Sequence, residues 1–214
     1  MTDNKQYWNQ IYSNCKHNKP KYDLWLDKHR DILDSIDNET ILDLGCGAGG
    51  DTLYLLERGY KVLSCDNSEE ALSAVNLNIP KAKTKNINLI ERLPFEDESI
   101  ALVLADLSLH YFDDKTTKSI IKEIDRILKK SAYLIFRVNS VNDTNYGAMQ
   151  GKKIEKHFYL TDAGYKRFFD EEDIKAYFHK WDIVYLKEET ITRYGSDKKA
   201  LEVVVKKESN NHTF

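Results

Sequence analysis

Thr40-Ile-Leu-Asp-Leu-Gly-Cys-Gly-Ala-Gly-Gly50 is the stretch on which the reading of this chain turns. A short apolar run that meets an acid and then breaks into clustered glycines is the pattern of a buried strand turning under a helix N-terminus. Four of the nine glycines, Gly45, Gly47, Gly49 and Gly50, lie in this stretch. Such clustering points to positive φ angles or to a backbone that something must approach closely. A nucleotide-like ligand is the natural candidate.

Working outward, short apolar runs alternate with helical spacings. A helix over Tyr7–Tyr12 places Trp8 and Tyr12 on one face, and a second over Tyr22–Ile36 carries Trp25, Ile32, Leu33 and Ile36 as an apolar stripe. Strand Thr40–Leu44 leads through the glycine turn into a helix ending near Glu57, with Gly59 just past it. Further strands are expected over Tyr60–Cys65, Ile87–Ile90, Ile100–Ala105 and Ala132–Val138. Ser68 caps one intervening helix, bounded by Pro80, and Ile120, Ile121, Ile124, Ile127 and Leu128 mark another. Asp170 with Asp173 has the spacing of a capping box, with Phe169 and Ile174 as its hydrophobic staple, for a helix reaching about His179. Runs Ile183–Thr190 and Ala200–Lys206 around Gly195 form a hairpin. The fold class is therefore α/β, a doubly wound, Rossmann-like, mostly parallel seven-stranded sheet ending in an antiparallel hairpin.

The 214 residues fit one domain. It divides into N-terminal cap helices (1–37), a cofactor-binding core (38–138), a substrate lid (139–168) and a last helix with hairpin (169–207). A formal net charge of -3 and the lack of a basic run argue against a nucleic-acid partner. Three cysteines without paired spacing fit a reducing cytosol, and no apolar window is long enough to cross a bilayer, so a cytoplasmic protein is expected.

Two ligands compete for the turn. Gly45-x-Gly47-x-x-Gly50 matches the dinucleotide fingerprint, and Asp66 stands about where a ribose-binding acid belongs. Asp43 discriminates: a carboxylate two residues before Gly45 repels a pyrophosphate and attracts a ligand with an ammonium and a sulfonium.

On these residues the chain resembles the class I S-adenosylmethionine-dependent methyltransferases. Their acid-x-Gly-x-Gly-x-Gly motif is matched by Asp43-Leu-Gly45-Cys-Gly47-Ala-Gly49. The resemblance extends over about residues 38–138 and, more loosely, to the terminal hairpin. It implies that the backbone of Gly45, Cys46 and Gly47 lies against the cofactor's methionine part, that Asp43 helps to hold its amino group, and that Asp66, beside Asn67, accepts from the ribose hydroxyls. Leu93-Pro94-Phe95 looks like the family's turn before its fourth strand. Leu89 stands where many relatives carry an adenine-binding Asp, so the adenine contact falls to Ile90 and Glu91 or to the Asn88 side chain. Trp8 and Tyr12 are similar to an aromatic pair that covers the cofactor in thiopurine-type members.

The end of the fourth strand, through Asp106 to Tyr111, holds the place where the family puts groups facing the transferred methyl, and Asp106 is a candidate cofactor contact. Neither the Pro-Pro signature of amino methylation of adenine or glutamine nor the Pro-Cys of pyrimidine carbon methylation is present. The resemblance therefore implies a small-molecule acceptor methylated at O, N or S, without a metal. His110 is the candidate general base, needed only for a hydroxyl acceptor. Arg137 and Asn139 at the rim of the site, and Tyr146 in the lid, are candidate substrate contacts. A cofactor-binding sensor or partner protein, an NAD-dependent dehydrogenase, and an RNA or protein methyltransferase are the alternative readings.

Overall fold

The computed structural model describes residues 5–15, 17–193 and 195–209. One seven-stranded sheet runs in the order β3-β2-β1-β4-β5-β10-β9, and a separate three-stranded sheet in the order β6-β7-β8. The seven strands are β1 Thr40–Leu44, β2 Lys61–Asp66, β3 Lys83–Asn86, β4 Ile100–Asp106, β5 Leu128–Asn139, β9 Trp181–Arg193 and β10 Ser196–Lys207. The small sheet comprises β6 Lys152–Glu155, β7 Phe158–Thr161 and β8 Gly164–Arg167. By contacts the chain falls into two compact units, Met1–Leu104 with Ile127–Lys129, and Ala105–Arg126 with Lys130–Phe214.

In the first unit, β1 pairs in parallel with both β2 and β4, so Ile41, Leu42 and Leu44 are enclosed on both faces. Helix α1 spans Lys5–Cys15, longer than the spacing of Trp8 and Tyr12 predicts. The stripe expected from Tyr22 to Ile36 is split into a 3₁₀ turn, Trp25–His29, and a short helix α2, Arg30–Ser35. Asp37 and Asn38, both at positive φ, end it. Trp25 Nε1 donates to Asp51 Oδ1 at 2.9 Å, which seats the turn on helix α3, Gly50–Glu57. Helix α4, Glu69–Asn78, is capped by Ser68, whose hydroxyl accepts from the Ala71 amide at 3.1 Å.

The third strand departs from the expectation at Ile87–Ile90. It lies instead at Lys83–Asn86 and pairs only with β2. An edge strand with one neighbour needs no apolar run, whereas Ile87 is buried as a loop residue beyond the strand end.

In the second unit, β10 lies antiparallel between β5 and β9. Helix α5, Asp114–Ile127, turns Ile120, Ile121 and Ile124 inward, while Leu128 already opens β5. Helix α6, Glu171–Tyr177, carries the complete capping box, with the Asp173 amide donating to Asp170 Oδ1 at 2.7 Å. Residues 139–168 contain the small antiparallel sheet β6-β7-β8, where the sequence reading anticipated only a long connection.

Candidate active site

The glycine turn is built by backbone hydrogen bonds. The amides of Gly45 and Cys46 both donate to the Cys65 carbonyl, at 2.7 and 3.0 Å, tying the end of β1 to the end of β2. Gly45, Gly47 and Gly49 hold φ values of 76°, 53° and 89°. At Gly47 the missing side chain matters twice: the conformation is left-handed, and a Cβ would lie 2.6 Å from the Tyr12 hydroxyl oxygen.

Asp43 is 1% exposed, and its carboxylate accepts from Thr52 Oγ1 at 2.8 Å. Thr52 sits in the first turn of α3 and also lies 2.7 Å from Ser64 Oγ. The acid is thereby held beneath the helix N-terminus, where the macrodipole favours a negative charge. A ligand phosphate at the same helix end would meet that charge at short range.

Asp66 ends β2. Its two oxygens accept from the Gly47 amide at 2.9 Å and the Ser68 amide at 2.8 Å, so the side chain is fixed against the turn. Burial raises its carboxyl above the usual range, and the bonds from Ser68 and Gly47 oppose that rise. Asn67 follows, its carbonyl accepting from Asn86 Nδ2 at 3.1 Å. Burial, and then the charges of Asp43 and Asp66, push the Cys46 thiol well up, so Cys46 stays a protonated thiol and contributes its backbone to the turn.

Trp8 and Tyr12 stack with centroids 5.6 Å apart, and the Tyr12 hydroxyl stands over Gly47. Helix α1 is seated by Ser68 Oγ, which donates to Asn9 Oδ1 at 2.6 Å, and by the exposed pair of Lys5 and Glu69 at 3.2 Å. Ile90 is exposed, and the Glu91 carboxylate accepts from Asn88 Nδ2 at 3.0 Å, so the loop beyond β3 is closed on itself.

In the second unit, Arg137 departs from its expected place at a rim. It is fully buried, and its Nε and Nη2 donate to the two oxygens of Asp106 at 2.7 and 2.9 Å. An Arg near the end of β5, paired with the carboxylate that ends β4, is consumed internally. Leu107, next to Asp106, holds a left-handed φ of 52° and donates its amide to the Arg137 carbonyl at 2.9 Å.

His110 is buried, its Nδ1 has no hydrogen-bond partner among the described residues, and its ring lies 4.3 Å from that of Tyr111. Burial first, and then Lys198 and Lys166, hold its pKa well below the ordinary histidine value, so the imidazole is neutral. Asn139 is also buried, and among the described residues its Oδ1 has no partner.

Tyr146 lies under Lys198, whose ammonium is 4.5 Å from the ring centre. The sequence reading missed Lys198, Lys166 and Asp143. Isolated lysines in polar segments read as solvated, and only the tertiary fold brings these three together.

A family model described as a methyltransferase domain matches residues 42–136. An uncharacterized methyltransferase of Synechocystis sp. is 37% identical over 91 residues, covering 42% of this chain and 42% of that protein. A demethylmenaquinone methyltransferase of Lactococcus lactis is 31% identical over 122 residues, covering 54% and 48%. The chain thus spans about half the length, or less, of these curated relatives. Among solved structures, a SAM-dependent methyltransferase of Methanosarcina mazei is similar in fold, with a TM-score of 0.74 at 24% identity over 87% of this chain and 99% of that one. Glycine turn, buried acid and sheet order agree with this match: residues 42–136, a little under half of the chain, are similar to the methyltransferase domain, and the fold is that of the solved methyltransferase.

Proposed function

We propose that this chain transfers a methyl group from S-adenosylmethionine to an O, N or S atom of a small molecule. The observation that carries the reading is Asp43, a carboxylate enclosed directly below the glycine turn. It favours a cationic ligand and opposes a diphosphate. The residues fit the cofactor by their chemistry. Asp43 offers charge to an ammonium, the side-chain-free backbone of Gly45 to Gly47 admits close approach, and the fixed Asp66 carboxylate retains lone pairs for two hydroxyls. Trp8 and Tyr12 supply an aromatic cover that excludes water from the turn.

Bound S-adenosylmethionine supplies a methyl group made electrophilic by its sulfonium. The chain's own task is alignment and exclusion of water, which can contribute about 7–11 kcal/mol toward the barrier. A hydroxyl acceptor would also need a base, and His110 could take the proton only in the tautomer that leaves the lone pair on Nδ1, an atom without a hydrogen-bond partner among the described residues. A small acceptor is supported by the absence of a basic run and by the similarity to the demethylmenaquinone methyltransferase of Lactococcus lactis.

Calorimetry tests the reading. S-adenosylhomocysteine is expected to bind and NAD not to; the reverse outcome sinks the proposal. Cofactor binding with no methylated product from a broad panel of acceptors, followed by mass spectrometry, would favour a sensor instead.

A further inference from the structure

Within the second unit, Lys166 and Lys198 converge on one region that holds the Asp143 carboxylate. Lys198 is 6% exposed and donates to Asp143 Oδ2 at 2.8 Å. The other oxygen of Asp143 accepts from the Lys199 amide at 3.1 Å, so both of its oxygens are engaged. Lys166, half-buried on β8, donates to the Tyr146 carbonyl at 3.3 Å, and among the described residues no carboxylate pairs with it. The nearby acid Glu188 is balanced by Lys199 at 3.2 Å. Lys166 therefore stands, partly desolvated, beside an ammonium that is already paired with Asp143. Burial and the neighbouring Lys198 lower the pKa of Lys166, the response of a cation short of a counter-charge.

Unpaired polar atoms accompany this charge. Among the described residues, buried His110 and Asn139 have Nδ1 and Oδ1 without partners. Their backbones are pinned beside Lys166, since the amides of Arg167 and Phe169 donate to the carbonyls of His110 and Asn139 at 2.7 and 2.8 Å. Buried polar groups are ordinarily satisfied, and a net buried charge is costly unless compensated. Arg137, the residue that the sequence offers for binding an acidic group, is committed to Asp106.

We propose that the region around Lys166, Lys198 and Tyr146 is a binding site for the carboxylate of an acidic small molecule, which is the methyl acceptor if the methyltransferase reading holds. Lys166 brings one ammonium, which matches a monoanion. A phosphate dianion calls for several donors or a guanidinium fork.

The test uses the full chain, with benzoate and phenylacetate each titrated against its primary amide by ligand-observed NMR, without cofactor. The acids are expected to bind about tenfold more tightly than the amides, the ratio that one charge-assisted hydrogen bond supplies. Lys166→Met should abolish that preference and Lys166→Arg should retain it. Unchanged affinity of both variants for S-adenosylhomocysteine shows that the fold is intact. Equal binding of acids and amides, no binding of either, tighter binding of phenyl phosphate than of benzoate, or a preference that survives Lys166→Met each overturns the proposal. Loss of S-adenosylhomocysteine binding by the unmodified chain would instead overturn the methyltransferase reading and leave the acid preference to be judged separately.

Discussion

Arg137 and Asp106 are joined by two hydrogen bonds, from Nε at 2.7 Å and Nη2 at 2.9 Å, with the guanidinium enclosed on all sides. On β10, Glu202 stands directly opposite Arg137 and is itself buried. Removing the Arg takes away the cation that is paired with Asp106 in a dry setting. Arg137→Met is expected to lose about 3–5 kcal/mol of stability. Arg137→Lys should recover only part of this, because an ammonium cannot make the fork. Urea denaturation of the three proteins checks both statements, and a variant of unchanged midpoint would show that the pair is not structural.

Gly47 and Tyr12 make a second pair whose dependence can be measured. Gly47→Ala should cost about 1–2 kcal/mol from the left-handed φ alone. Contact with the Tyr12 hydroxyl adds to that cost. Tyr12→Phe in the Gly47→Ala background should return part of the added loss, since the nearest atom is removed while the ring carbon at 3.3 Å remains. A thermal-denaturation double-mutant cycle reads the coupling, and strict additivity would contradict the contact.

The thiols offer a chemical test. Burial is the leading cause that pushes up both Cys46 and Cys65, and the nearby Asp43 opposes the thiolate in each. Neither should be alkylated by iodoacetamide in the folded protein at pH 8, and both should be once it is unfolded. Peptide mapping by mass spectrometry assigns the sites; rapid native labelling of Cys46 would mean an open turn.

His110 makes a statement about pH. Its folded pKa lies below the ordinary value of 6.5. The unfolded chain therefore takes up the proton first, and the stability associated with the neutral ring is complete above that pH and lost as the pH falls below it. The slope from this group alone approaches ~1.4 kcal/mol per pH unit. Between pH 7.5 and 5.5, His110→Gln should lose less stability than the unmodified protein. Equal losses would show that His110 is accessible to protons in the folded state.

How far the sequence carried the reading depended on which forces act locally. Strand β1 was legible to the residue, because an apolar run closed by glycines admits few alternatives. The Ser68 cap and the Asp170–Asp173 box were legible because capping acts over three residues. Strand β3 was misplaced because an edge strand of Lys, Thr, Lys and Asn carries no apolar signal. The small sheet was missed because Lys-Lys-Ile-Glu and Gly-Tyr-Lys-Arg show little alternation. At the site, the glycine turn and its acids could be named because they are close in sequence. The burial of Arg137 and the meeting of Lys166 with Asp143 and Lys198 could not, because they depend on segments brought together only by the finished fold.

The hydroxyl of Ser68 donates to Asn9 while it accepts from Ala71. Aspartate, an equally good helix starter, could accept but never donate, so Ser68→Asp would keep α4 and unfasten α1. Because Ser68 also donates its amide to Asp66, one small residue sets the helix origin, the mooring of the leading segment and the posture of the β2 acid together. Drift at this position would therefore be constrained by all of these duties at once, even though the residue need touch no ligand.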